Sequence, residues 1–546
     1  MLFAVALLAG ACGGNKSGTS TKANSGASTN FTTEPPSDKK PVYGGSVTYG
    51  IEADPGGSLC LPEGQLAIAG ILTARMFYDT LTVPNSEGTV SPWLAQAVTH
   101  DDTYKTWTIK LRDGVVFSDG SKLDATVVKN NLDAYRGSYP ARSPLLFRYV
   151  FSNVDTVTAT DPLTVTVTTK VPWVDFDAFL WGSGRIGIMG QKQLDSKDCG
   201  TDVVGTGPYL YKEYIQGDHV TGTKNPNYWY KDPANNNKLP YLDSLTLKVV
   251  TEAAQRNNGL DSGDLDIMHT SDGSGILQLR SEAKAGKVNL LESDKFGEVS
   301  YALMNSASPP FDNLNARLAV AYGTDRQALI DKSQQGVNKI ADGPFTKGNV
   351  GYLDDPGFPK YDIAKAKEYL AKYKAETGKD LEITISHTPD TGTTDLAKLV
   401  QEQAQAVGIT VNLQPFEQAQ LITNAVKGTF QVMLWRNHPG GDPDTQYVWW
   451  HSGSLVNFGH INDPQIDSLL DEGRSEPDPA KRQAIYENLN RRFASQVYNI
   501  WTWATLWDIG SSTKVHGIFG PKLPDGKSPT DGLATGHFLG ALWKEK

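Results

Sequence analysis

LAQAVTHDDTYKTWTIKLRDGVVFSDGSKLDATVV, residues 94–128, carries the most legible fold signal in the 546-residue chain. Within it, at 106–112, Trp107, Ile109 and Leu111 alternate with Thr108, Lys110 and Arg112, the period of two of a half-buried strand. Asp119 and Gly120 then supply a turn. Asp124 stands where a helix N-cap belongs, ahead of Val127, Val128, Leu132 and Tyr135 on one apolar side.

Working outward, strands and helices stay mixed rather than segregated. SVTYGI (46–51) reads as a strand, followed by the loop EADPGGSLCLPEG and a helical run through Leu66, Ile68, Ala69, Leu72 and Met76. LTVTVTT (163–169) is a second alternating strand. The second half is richer in amphipathic helices, at 362 to about 374, 394 to about 407, 463 to about 471 and 478 to about 495. Asp463 before Pro464 marks a capped start. Strands at 381–387, 409–416 and 430–435 lie between these helices, the alternation of an α/β lobe. No internal repeat is visible.

A single hydrophobic core stops growing at roughly 250–300 residues, so this length implies two or three cooperating domains. Hydrophobic residues at 39% and charged residues at 21%, with 22 Tyr, 18 Phe and 12 Trp, describe a folded soluble protein with aromatics to spare for a ligand cleft. The formal net charge is -10 and no basic stripe is present to neutralise phosphates, which excludes nucleic acid as a partner.

At the N-terminus, MLFAVALLAGAC is apolar but too short to cross a hydrocarbon core of about 30 Å, and it reads as an export signal. Leu8, Ala9, Gly10 and Ala11 before Cys12 resemble the lipobox of bacterial lipoproteins, which implies acylation of Cys12 and anchoring on the outer face of the cytoplasmic membrane. Ala9 replaces the usual aliphatic residue and no Lys or Arg precedes the apolar run, so an ordinary secretory signal with a coincidental Cys is the alternative. Residues 13 to about 40 are Gly, Ser, Thr, Asn and Lys with little apolar content, a tether with a reach on the order of 30 Å. Of three cysteines, Cys60 and Cys199 remain in an oxidising setting, as a disulfide or as two buried thiols. A bond would stabilise the fold by about 5 kcal/mol at most.

Four ordered segments resemble the solute-binding protein family 5, receptors for peptides, nickel chelates, opines and some oligosaccharides. They are the 94–128 stretch, VGTGPYLYKEY (204–214) with NPNYWYKD (225–232), SGDLDI (262–267), and MNSASPPFDNLNARLAVAYGTDRQALI (304–330). Gly120, Gly205, Gly207 and Pro208 fit turns, while Arg112, Arg317 and Asp325 fit packing or ion pairs, so these motifs identify the fold rather than the solute. The resemblance implies an α/β, two-lobed periplasmic-binding-protein-like fold (type II, cluster C). Lobe 1 would comprise 41–70, 203–295 and 509–546, with an extra domain at 71–202, and lobe 2 would be 296–508. Cys60 and Cys199 then both fall at the edge of lobe 1. It further implies an ABC-importer receptor, a monomer that captures a small solute by hinge closure and hands it to the permease's transmembrane subunits.

By the same resemblance, ligand is gripped by the loop at 52–63 and by WRNHPGGDPDTQYVWW (435–450). The candidate ligand residues are Asp54, Leu59, Trp435, Arg436, Asn437, His438, Asp442 and Asp444. Trp435 also suits a core aromatic, and GDPD also suits plain turn chemistry. Peptide receptors commonly place an Asp just after this Trp to hold an α-ammonium. Here Arg436, Asn437 and His438 follow instead, which favours a carboxylate-bearing ligand if Arg436 faces the cleft, or an ion pair of Arg436 with Asp442 or Asp444. Peptide is the leading solute; an oligosaccharide, an opine-like or another carboxylated solute is the alternative. His387 near the same cleft reads as structural. The nine His residues are scattered, no cluster has metal-ligand spacing, and neither a metal nor a cofactor is expected. A secreted hydrolase with an aromatic cleft is the rival class. It lacks a GxSxG elbow, HExxH or CxxC, and Asp442 and Asp444 are too close in sequence to flank a scissile bond, so the chain reads as a binding protein and not an enzyme.

Overall fold

Residues 94–128 fold as two strands, a turn and a helix. Ala95–His100 and Thr106–Leu111 pair antiparallel, and Trp107, Ile109 and Leu111 are buried. Gly120 has φ 84°, a conformation that strains any L side chain. Asp124 accepts the Val127 N–H at 2.9 Å and starts the helix Ala125–Tyr135. Thr164–Thr169 and Val154–Asp161 complete a four-stranded sheet, the centre of an inserted domain. The structure, a computed structural model, describes residues 39–56, 58–64, 66–293, 298–437, 442–530 and 538–546. Cys12, the tether up to residue 38 and His438 lie outside the described residues.

A seven-stranded sheet forms lobe 1, in the spatial order Val288–Ser293, Trp507–Ser512, Ile267–Thr270, Ser46–Ile51, Ser244–Val249, His219–Lys224, Tyr209–Ile215. Ser46–Ile51 is central and parallel to both neighbours, so a crossover helix, Ala253–Ser262, is needed between those neighbours. Lobe 2 is built on six strands, in the order Lys339–Ile340, Asn499–Ala504, Val299–Met304, Val432–Asn437, Glu382–His387, Thr410–Pro415. Glu382–His387 runs parallel to both of its neighbours, and helix Thr391–Val407 makes the crossover. That helix starts earlier than its apolar pattern because Asp390 caps it.

The chain leaves the first sheet at Ser293, enters the second at Val299, and returns from Ala504 to Trp507. Outgoing and returning strands are neighbours in both sheets. Two adjacent crossings thus join the sheets, and the return lies two residues ahead of the position expected from the sequence.

The inserted domain is fastened to the far edge of the first sheet. Helix Ile68–Phe77 lies against Tyr209–Ile215 and His219–Lys224, and a Cβ on Gly205 would come 2.0 Å from the Phe77 carbonyl oxygen. Gly205 is therefore required by a close backbone approach rather than by a turn. Buried Asp79 adds a polar tie, accepting from Trp93 at 2.7 Å, Trp229 at 3.0 Å and Thr206 at 3.0 Å. Arg112 donates to the Trp93 carbonyl at 2.6 Å and lies over Trp229, while Arg317 donates to the carbonyls of Gln496 and Phe311. Asp325 caps the helix Arg326–Ser333. Among the described residues no helix is long and apolar enough to cross a membrane.

Candidate functional site

The loop behind the central strand of lobe 1 carries two of the expected ligand residues, and both are committed within their own lobe. Asp54 accepts from the Gly56 N–H at 2.8 Å, the Tyr214 hydroxyl at 2.6 Å and the Gly217 N–H at 2.6 Å. Leu59 is buried; its N–H donates to the Gly200 carbonyl at 3.0 Å and its own carbonyl accepts from Tyr78 and Gln193. Cys60 is bonded to Cys199, 139 residues on, at 2.09 Å, which holds this loop on the end of the inserted domain.

Just beyond the carboxyl ends of the parallel strands, where ligands of open α/β sheets gather, the two lobes meet in a cluster of charge. Glu52, next after Ser46–Ile51, pairs with His269, whose other ring nitrogen lies 3.3 Å from the Tyr49 hydroxyl. Burial alone would push the Glu52 carboxyl up. The charge and hydrogen bond of His269, joined by Arg436 and Arg256, outweigh it and hold the pKa at about 2. Arg256 is buried and braced by the carbonyls of His269, Val250 and Thr251 at 3.0, 2.6 and 3.0 Å.

Arg436 reaches this cluster from lobe 2. Its Nη1 donates to the Ser271 hydroxyl at 2.9 Å, its Nε lies 3.3 Å from Glu298, and its guanidinium covers the Trp507 ring at 4.9 Å. Trp507 in turn donates to Glu298 at 2.5 Å. The ion pair that the sequence suggested with Asp442 or Asp444 is not made; Glu298, at the crossing between the lobes, takes that place. Gly273 adds a steric contact between lobes, since a Cβ there would sit 2.2 Å from the Gln334 carbonyl oxygen.

Trp435, half-buried, packs edge-on against Phe458 at 5.6 Å, and Trp449 lies 6.0 Å from the same ring, an aromatic wall beside Arg436. Asn437 ends the strand. His387 is buried, with Nδ1 2.7 Å from the Thr388 carbonyl oxygen.

Asp442 and Asp444 lie elsewhere, in the seam between lobe 2 and the inserted domain. Arg482 grips Asp442 with two bonds of 2.7 and 2.6 Å. Asp444, 2% exposed, accepts from Arg474 at 2.8 Å and from Trp173 of the inserted domain at 2.7 Å. Asp442 also accepts the Asp444 N–H, so turn chemistry and ion pairing account for their contacts.

The comparisons with known proteins agree with this architecture. The model for bacterial extracellular solute-binding proteins, family 5 (middle part), matches residues 89–458, more than half of the chain. The chain belongs to this family. Within family 5, the nickel-binding periplasmic protein of Escherichia coli (strain K12) is 24% identical over 439 residues, covering 76% of this chain and 81% of that protein. The glutathione-binding protein GsiB of Salmonella paratyphi A is 29% identical over 427 residues, covering 76% and 80%. Solved structures share the fold. AgaA of Agrobacterium ("A.tumefacien R10"), in complex with agropinic acid, superposes with a TM-score of 0.81 at 23% identity over 92% of this chain and 99% of that one. The oligopeptide-binding protein AppA of Bacillus subtilis, with a nonapeptide, gives 0.79 at 20% over 93% and 100%. Family 5 consists of binding proteins rather than enzymes.

Glu52, Arg256, His269, Ser271, Glu298 and Trp507 were not singled out from the sequence. Arg256 comes from the crossover helix and the others from strands or the residues beside them, far apart in the chain, and no local spacing marks them. Glu52 alone carried a signal, as the first residue after a recognisable strand.

Proposed function

We propose that this chain is the extracytoplasmic receptor of an ABC importer, capturing a small solute between its lobes by hinge closure and delivering it to the permease. The observation that carries the reading is Arg436, which extends from the second sheet to Ser271 and Trp507 of the first and to Glu298 at the crossing. A group that touches both lobes holds its contacts only when they are together, so a ligand that favours that state shifts the population toward it. Membership of family 5 and the likeness to proteins that hold agropinic acid or a nonapeptide support the role.

Peptide is the leading solute, given the peptide and glutathione partners named for its relatives. A carboxylated, opine-like solute is the second reading, and one observation favours it. Asp442 and Asp444, the nearest acidic candidates for an ammonium anchor, are engaged by Arg482, Arg474 and Trp173. Native mass spectrometry of solute co-purified from the producing organism, with scattering before and after its removal, tests the role. A bound solute and compaction on its return are expected; turnover of that solute into product would overturn it. The receptor acts as a monomer held at the outer face of the cytoplasmic membrane by acylated Cys12, and a Cys12→Ala variant is expected in the soluble fraction.

A further inference from the structure

The seam between the inserted domain and lobe 2 is built mostly from polar and charged contacts. On the inserted domain, Trp173 donates to Asp444 at 2.7 Å, the Val174 N–H donates to the Arg474 carbonyl at 2.9 Å, and the Pro172 carbonyl accepts from Ser475 at 3.2 Å. Half-buried Asp175 pairs with Arg482 at 2.6 Å, on the guanidinium that also holds Asp442. Arg474 covers the faces of Trp173 at 4.5 Å and Tyr447 at 3.5 Å. Farther along, the Tyr149 hydroxyl lies 2.9 Å from His451 Nδ1, and a Cβ on Gly453 would meet the Tyr149 ring at 2.3 Å.

The seam's place in the fold gives these contacts a role. The inserted domain is fixed to the Tyr209–Ile215 edge of the first sheet, and the two crossings leave from the opposite edge, Val288–Ser293 and Trp507–Ser512. Rotation about the crossings therefore swings lobe 2 toward or away from the strip 172–177. We propose that this seam is the outer clasp of the cleft: it forms as the lobes close, shuts the side away from the crossings, and restricts the retained solute to a compact molecule.

The charge of the seam argues for a clasp rather than a fixed weld, and its backbone bond argues for a compact solute. Three carboxylates, Asp175, Asp442 and Asp444, pair with two guanidinium groups, Arg474 and Arg482, and a fourth, Asp177, lies near Asp442 and His100. Shutting the seam thus gathers an excess of negative charge that opening returns to water. A ligand chain running out between the domains would have to displace the Val174–Arg474 backbone bond and strand these ions without partners, which a compact solute avoids.

This inference rests on the hinge-closure reading, and the test separates the two. The full chain and its Arg482→Met, Asp175→Asn and Ser475→Ala variants are followed by scattering and by Trp173 emission, isolated by subtracting the spectrum of a Trp173→Phe protein. The probes are a pool of di- and tripeptides, an agropine-type opine acid and a pool of nonapeptides. Arg482→Met is expected to expand the particle, shift Trp173 emission to the red and speed release of a compact probe about tenfold. Ser475→Ala, which leaves the ion pairs in place, shows the same direction in smaller degree should Arg482→Met fold poorly. Unchanged size and emission in both of these variants would overturn the clasp. A nonapeptide retained while Trp173 emission stays blue would overturn the restriction to compact solutes. Expansion of Arg482→Met with no probe bound by any protein upholds the clasp and counts against the solute classes proposed above.

Discussion

Two places where, among the described residues, lobe 2 touches the rest of the molecule handle charge in opposite ways. At the hinge side, Glu52 and Glu298 are met by His269, Arg256 and Arg436, and the Glu52 carboxyl stays ionised down to a pKa of about 2. At the outer seam, burial pushes the Asp175 carboxyl well above its ordinary value, Asp442 adds to the rise, and Arg482 offsets only part of it. One contact is balanced and the other is overfull. Balance suits a contact held firmly while the lobes are together; excess suits one that parts readily.

The largest expected effect breaks the seam. Arg482→Met leaves Asp175 and Asp442 without their cation and should cost about 3 kcal/mol, read as a lower midpoint in thermal unfolding. Asp175→Asn, on the same pair, should leave the midpoint unchanged or raise it, because it removes the excess charge. Equal losses from both would show that the seam is as balanced as the hinge side.

Next in size is Gly273→Ala. The added methyl meets the Gln334 backbone across the lobes, so closure and solute affinity should fall about tenfold, by titration, with little change in unfolding midpoint. Unaltered affinity would mean that the lobes do not meet there in the bound state.

A pH series compares the two regions directly. Glu52, lowered in the fold, stabilises fully above its ordinary value near 4.5 and loses that contribution as pH falls toward 2. Asp175, raised, contributes in the other sense: its stabilisation is present below its ordinary value near 3.8 and is lost as pH rises through the raised value. Asp175→Asn should therefore remove a stabilisation that grows on mild acidification, while Glu52→Gln should flatten the loss in stronger acid. Melting curves between neutral pH and pH 2 read both.

The smallest effect is expected of Arg436→Lys, which keeps the charge but loses the planar fork over Trp507. A several-fold loss of solute affinity is expected, about 1 kcal/mol, with Glu52 still ionised near neutral pH.

Local order was readable from the residues alone. The alternation of 106–112 and the cap at Asp124 reappear as strand and helix because their causes, side-chain period and one side-chain acceptor, lie within a few residues. Arg436 illustrates the limit. Sequence offered Asp442 and Asp444 as partners because they are near in the chain, whereas its contacts, Ser271, Glu298 and Trp507, become neighbours only once the crossings set the two sheets side by side. Likewise Asp442 and Asp444 meet Arg482 and Arg474 through helix packing that no turn motif announces. Asp54 looked free for ligand, and only the hairpin 209–224 supplies the hydroxyl and N–H that occupy it.

The strand order of lobe 1 bears on how the protein is made. Trp507–Ser512 is not an edge strand: it fills the gap between Ile267–Thr270 and Val288–Ser293. A nascent chain cannot seal that sheet until residues 507–512 have left the ribosome, and the pairing it awaits is long-range and therefore slow. Until that strand is added, synthesis delivers an unfinished lobe.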